Sequence, residues 1–235
     1  MTSHTPDWDL KQMLMGLPEQ GYEDDILSSE LRKQFTEAFN KWLDVPEEIL
    51  QTITEAVDMV HQATSLIENL EHRTSQESKM IPSECGLGTS IHSANSSLLL
   101  ALQKLLRLDN STVVQVYTDC LLETHRRYSV DMYLRDSQDF PDEKEYRRMA
   151  TSEAGKQFEL TVKLVQIFSI NKKNFQPLVQ TFGLYYQIHQ DYLKIFDKKS
   201  GRFPMDVAKG KFLYPLLHAI LSEKDNNEML SILFL

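Results

Sequence analysis

Cysteine is scarce in this chain, with Cys85 and Cys120 the only two in 235 residues. Two thiols cannot build a disulfide framework, and they suit a reducing compartment. Positive charge is also short. Lysine and arginine number 25 against 34 acids, a net charge of −9. That balance argues against a nucleic-acid grip and against a polybasic membrane anchor. No apolar run approaches the roughly 18 residues of a membrane span. The opening MTSHTPDWDLKQ lacks a basic, apolar signal, and the closing SILFL matches no lipidation or retention motif. Alternating strand patterns and internal repeats are missing too. The expectation is a soluble, cytoplasmic protein with no nucleic-acid partner and no transmembrane segment.

What the chain has is apolar periodicity at helical spacing. An apolar content of 41% is enough for one substantial core, so the organisation expected is a lead-in over 1–25 and a single helical domain over 26–235. Pro6, Gly16, Pro18 and Gly21 interrupt any long period in the lead-in. From Ser28 the pattern turns helical, with Leu31, Phe35, Phe39 and Trp42 on one line. Asp44-Val45-Pro46-Glu47-Glu48 reads as a stop and a restart, with proline and acids at the new N-terminus. Helices are expected over about 46–72, 91–108, 111–134, 143–169, 174–195 and 207–223. Polar segments at 73–90 and 135–145 separate them. The 91–108 helix carries Leu98, Leu99, Leu102, Leu105 and Leu106, which predicts burial on most of its sides. Seven or eight helices with short connections make an all-α bundle.

The organising stretch is His61–Thr74, HQATSLIENLEHRT. Val57, Val60, Thr64, Ile67 and Leu70 mark an apolar stripe near a 3.6-residue period. On another face Glu68, Glu71 and His72 stand at i, i+3 and i+4, near enough to share one small volume. His61 lies two turns earlier. By itself this reads as a solvated polar face ending in a loop.

Colinear landmarks change that reading. These are AFNKWLDVPEEIL at 38–50, MVHQATSLI at 59–67, SIHSAN at 90–95 and VDMYLRD at 130–136. FGLYYQIHQDY at 182–192 and GKFLYPLLHAI at 210–220 follow. Together they resemble the trans-isoprenyl diphosphate synthases, and geranylgeranyl diphosphate synthase above all. The resemblance implies an isoprenoid-synthase helical bundle around a cavity, with two aspartate-rich helices at its mouth. It also implies a prenyl diphosphate ligand whose departing diphosphate is neutralised by Mg²⁺ held on carboxylates. Magnesium takes hard oxygen ligands in octahedral geometry, which aspartates one turn apart supply.

The motif residues themselves are altered. Glu68-Asn69-Leu70-Glu71-His72 stands where the family has Asp-Asp-x-x-Asp. Gln187-Ile188-His189-Gln190-Asp191 stands for Gln-Ile-Arg-Asp-Asp, so one carboxylate of that pair is kept. Carried over position by position, the resemblance assigns Glu68, Glu71 and Asp191 to catalysis and Glu68, Glu71, His72 and Asp191 to metal binding. Arg32, His61, Gln187 and Lys211 are assigned to the substrate. Imidazole suits zinc better than magnesium, so the Mg²⁺ site is expected to be weakened. Glu153 replaces a phosphate-binding lysine of the family.

Three functions fit these residues. The first is a divergent member that binds a prenyl diphosphate or a synthase subunit with little or no elongation. The second is a terpene-synthase-like lyase ionising geranyl or farnesyl diphosphate. The third is an active prenyltransferase making geranylgeranyl diphosphate. Loss of both aspartate motifs favours the first. The landmarks end near Ile220, whereas family chains continue well beyond, so the domain is expected to be truncated at its C-terminus. Uncovered apolar surface and the family's habit predict a homo-oligomer, or a hetero-oligomer with a related synthase.

Overall fold

Helices begin and end where local chemistry can satisfy their terminal backbone groups. The computed structural model describes residues 29–71, 86–136, 141–196 and 213–222. Among these there are seven helices and no strand, as the all-α expectation requires. They are α1 Ser29–Leu43, α2 Glu47–Glu71, α3 Leu87–Leu106, α4 Thr112–Asp136, α5 Glu143–Phe168, α6 Gln176–Phe196 and α7 Tyr214–Ser222. The break before α2 is built as a local lock. Asp44 adopts a left-handed φ of 52°. The Asn40 side chain donates to the Val45 carbonyl at 3.0 Å and accepts from the Val45 amide at 2.9 Å. Pro46 then bars continuation of α1 and opens α2. At α5 the cap is reciprocal: the Glu145 amide donates to Asp142 and the Asp142 amide to Glu145.

Two boundaries differ from the sequence expectation. α3 starts at Leu87 rather than Ile91, behind an extended Gly86. Composition marks Gly88, Thr89 and Ser90 as loop, but Ser90 belongs to the buried face of α3, and that packing extends the helix. α7 is described from Tyr214 on, and residues 207–212 lie outside the described part. The lead-in over 1–25 lies outside it as well.

The chain divides into two compact units, one formed by residues up to Gln34 with Glu47–Asn110, the other by Phe35–Pro46 with residues from Ser111 on. In the first unit α2 packs on α3. The α3 face that is buried is Ser90, Ser93, Ala94, Ser97, Leu98, Ala101 and Leu105. α2 buries Ala56 and Ala63 together with Val57, Val60 and Leu66. Small side chains on both helices permit a close approach. This corrects the expectation for the leucines: Leu99 is 69% exposed and Leu106 51%, while Leu98 and Leu105 are buried. The buried stripe follows the small residues, and several leucines fall on the opposite side.

In the second unit α5 packs on α6 and α4, and α7 lies on α6 and α5. Phe158 of α5 is the pivot, with ring centroids 4.3 Å from Phe35 and 4.8 Å from Phe182. Full burial of such a ring contributes about 1.5–3 kcal/mol. The C-terminal carbonyls of α1 are capped from far along the chain. Ser169 Oγ donates to the Leu43 carbonyl, and Asn171 Nδ2 donates to that of Trp42 at 2.8 Å. Trp42 itself is half-exposed, its ring stacked on Phe175.

Candidate functional site

In the first unit the site residues gather on α2. Arg32, on the first turn of α1, is buried, and its Nε donates to Asp58 Oδ1 at 2.7 Å. His61, one turn further along α2, is 4% exposed. Thr64 follows, also buried, its hydroxyl donating back to the carbonyls of Val60 and His61. Of the apolar stripe expected on this helix Val57, Val60 and Thr64 are buried, and Ile67 and Leu70 are half-buried. Glu68 and Glu71 lie in its last turns, which contain no base. The side chains of Glu68 and Glu71, with all of His72, lie outside the described residues, as do Lys211 and the side chain of Glu153.

Asp58 is the residue the sequence reading missed. Its signal was a lone acid one turn before His61 on an otherwise apolar stretch, a pattern that a solvated position shows equally well. Only the fold puts it against Arg32, where the pair neutralises a guanidinium that would be costly to bury alone.

In the second unit Asp191 is the centre. It is 1% exposed and receives three donors. Tyr146 Oη and the Tyr214 amide (2.9 Å) both donate to Oδ2, and Gln187 Nε2 donates to Oδ1 at 2.9 Å. Burial pushes the Asp191 carboxyl above its ordinary range, although the Tyr146, Tyr214 and Gln187 donors and nearby Lys194 pull it back. At the surface end of the same cluster, Glu143 Oε1 accepts from the Tyr214 hydroxyl at 3.1 Å and from Arg147 Nη2 at 2.7 Å. These contacts hold the Glu143 carboxyl below its usual range, the bond from Arg147 contributing most. His218 stacks on the Tyr214 ring, while His189 is exposed and stacks on Tyr185.

The structure therefore brings Gln187 and Asp191 together, but as partners of each other. A magnesium ligand must offer oxygen lone pairs to an ion that keeps several of its waters. A carboxylate has about four lone-pair positions, and three donors already point at the buried Asp191, which leaves about one. Among the described residues no three His, Cys, Asp or Glu side chains are grouped to hold a metal ion. No described helix is long and apolar enough to cross a membrane.

Comparison with known proteins gives a consistent family. The sequence pattern of the family described as polyprenyl synthetase matches residues 28–234, past the point near Ile220 where the landmarks fade. The chain is similar to a geranylgeranyl pyrophosphate synthase of Penicillium canescens, 33% identical over 87% of this chain and 63% of that protein. It is similar to one of Claviceps paspali, 34% identical over 90% of this chain and 65% of that protein. A terpene synthase of Matsumurasca onukii is 32% identical over 99% of this chain and 78% of that protein. The chain thus spans less than two thirds of the length of those two fungal proteins.

Proposed function

This chain belongs to the polyprenyl synthetase family, and from that premise we propose that it binds a prenyl diphosphate with little or no chain elongation. Elongation in this family joins two diphosphate substrates and draws on Mg²⁺ held by two facing carboxylate sets. The observation that carries the proposal is the state of Asp191, the carboxylate kept from the second set, which is buried and engaged with Tyr146, Tyr214 and Gln187. In this reading Arg32 and His61 bind and orient the diphosphate. The guanidinium, already held by Asp58, would share its charge-assisted hydrogen bonds with phosphate oxygens. Glu68 and Glu71 then serve as a weakened Mg²⁺ site, and the protein works with a second copy or a related synthase. The exposed Leu99 and Leu106 of α3 are consistent with such an assembly.

A second reading is a lyase that ionises one prenyl diphosphate. The match to the Matsumurasca onukii terpene synthase favours it, since that match takes in 99% of this chain.

One experiment separates these. Purified protein is incubated with Mg²⁺ and geranyl, farnesyl or geranylgeranyl diphosphate, with and without isopentenyl diphosphate, while binding is followed by calorimetry. Saturable binding without turnover supports the proposal. Volatile hydrocarbon formed without isopentenyl diphosphate supports the lyase. A lengthened diphosphate overturns both.

A further inference from the structure

The described residues of α7 are Tyr214–Ser222, and its start is fixed by the non-helical Leu213. Its N-terminal amides need a partner, yet the residue before it is Leu213, whose side chain has no oxygen to offer. The partner comes from another helix. Asp191 of α6 accepts the Tyr214 amide through Oδ2, and the same oxygen accepts the hydroxyl of Tyr146 from α5. Gln187, one turn before Asp191, holds the other oxygen. Beneath these bonds Leu217 of α7 packs with Tyr146 and Ala150 of α5, flanked by Leu184 and Ile188 of α6. The Tyr146 and Tyr214 rings lie 5.2 Å apart, closing the arrangement. A negative carboxylate at the N-terminus of α7 also meets the positive end of its dipole.

We propose that Asp191 is the clasp that docks α7 onto α5 and α6, and not a ligand of magnesium. The position that the family resemblance assigns to metal chemistry is in this chain a structural one. One carboxylate fixes three helices, and Tyr146 and Gln187 position it. Recruiting it to a metal would release the Tyr214 amide and undo the start of α7. The clasp does not depend on the proposed function, because it is read out with no prenyl diphosphate present.

The test uses the full chain and three variants, Asp191→Asn, Tyr146→Phe and their combination. Hydrogen exchange of the α7 amides and thermal melting are measured with and without millimolar Mg²⁺. The clasp predicts that each single variant lowers protection of the Tyr214 amide and its α7 neighbours by about tenfold or more. It predicts a melting temperature lower by about 5 °C. The double variant should fall little below the worse single one, because both changes break the same bond. Added Mg²⁺ should leave all of these values unchanged. Tyr146→Phe keeps the carboxylate intact, so it carries the test even where Asp191→Asn fails to fold. Unchanged α7 protection in Tyr146→Phe would overturn the proposal. So would a Mg²⁺-dependent rise in wild-type melting temperature that Asp191→Asn abolishes.

Discussion

Replacing Asp58 by alanine would take the carboxylate from beside a buried arginine, and the cost can be worked from the structure. The Arg32 side chain is 7% exposed and that of Asp58 23%, with Nε and Oδ1 2.7 Å apart. Exposed ion pairs contribute about 0–1 kcal/mol. Removing one partner of a fully buried pair costs about 3–5 kcal/mol, since the other charge is left without compensation. Arg32 belongs to the second case, but water can reach the hole left by the partly exposed Asp58. A loss of about 2 kcal/mol is therefore expected for Asp58→Ala. With a urea dependence of about 2 kcal/mol per molar, the unfolding midpoint falls by about 1 M. Far-UV circular dichroism across a urea series measures it. The double variant Arg32→Met/Asp58→Ala removes both charges of the pair and should recover much of the loss, because an apolar side chain of similar length suits the site. A midpoint for Asp58→Ala within error of wild type would refute the argument. A double variant less stable than Asp58→Ala would refute it as well.

Three further outcomes follow from burial and electrostatics. Phe158→Ala empties the centre of the aromatic cluster and should cost about 3–5 kcal/mol in the same urea assay. Leu105→Ala should cost about 2–5 kcal/mol, whereas Leu99→Ala on the exposed side of α3 should stay within about 0.5 kcal/mol in the purified protein; equal losses would restore the reading in which all the leucines are buried. Glu143 has a depressed carboxyl, so its contribution is present above its ordinary value of about 4.5 and is lost as pH falls through the lower folded value. The melting-temperature difference between wild type and Glu143→Gln should accordingly be constant near neutral pH and shrink in acid, and a difference that grows in acid would contradict the assignment.

The sequence by itself determined the helices and the family. Periodicity at 3.6 residues and the stop and restart at Asp44–Glu48 act within a turn or two of backbone, so they are written locally and can be read locally. The order of the landmarks from AFNKWLDVPEEIL to GKFLYPLLHAI names the family without any contact being known. Which side of α3 is buried was decided by tertiary structure. Leucine is the more apolar residue, but the buried face of α3 carries Ser90, Ser93, Ala94, Ser97 and Ala101, small side chains that allow a close approach to the packed α2. The pairing of Arg32 with Asp58 spans 26 residues, and the clasp on Asp191 draws donors from 45 and 23 residues away. Spacing along the chain is silent about such bonds. As one letter in a motif Asp191 stands, by the resemblance, for a metal-binding carboxylate; in the folded chain it is buried and accepts from Tyr146, Gln187 and the first amide of α7, contacts that only the fold brings together.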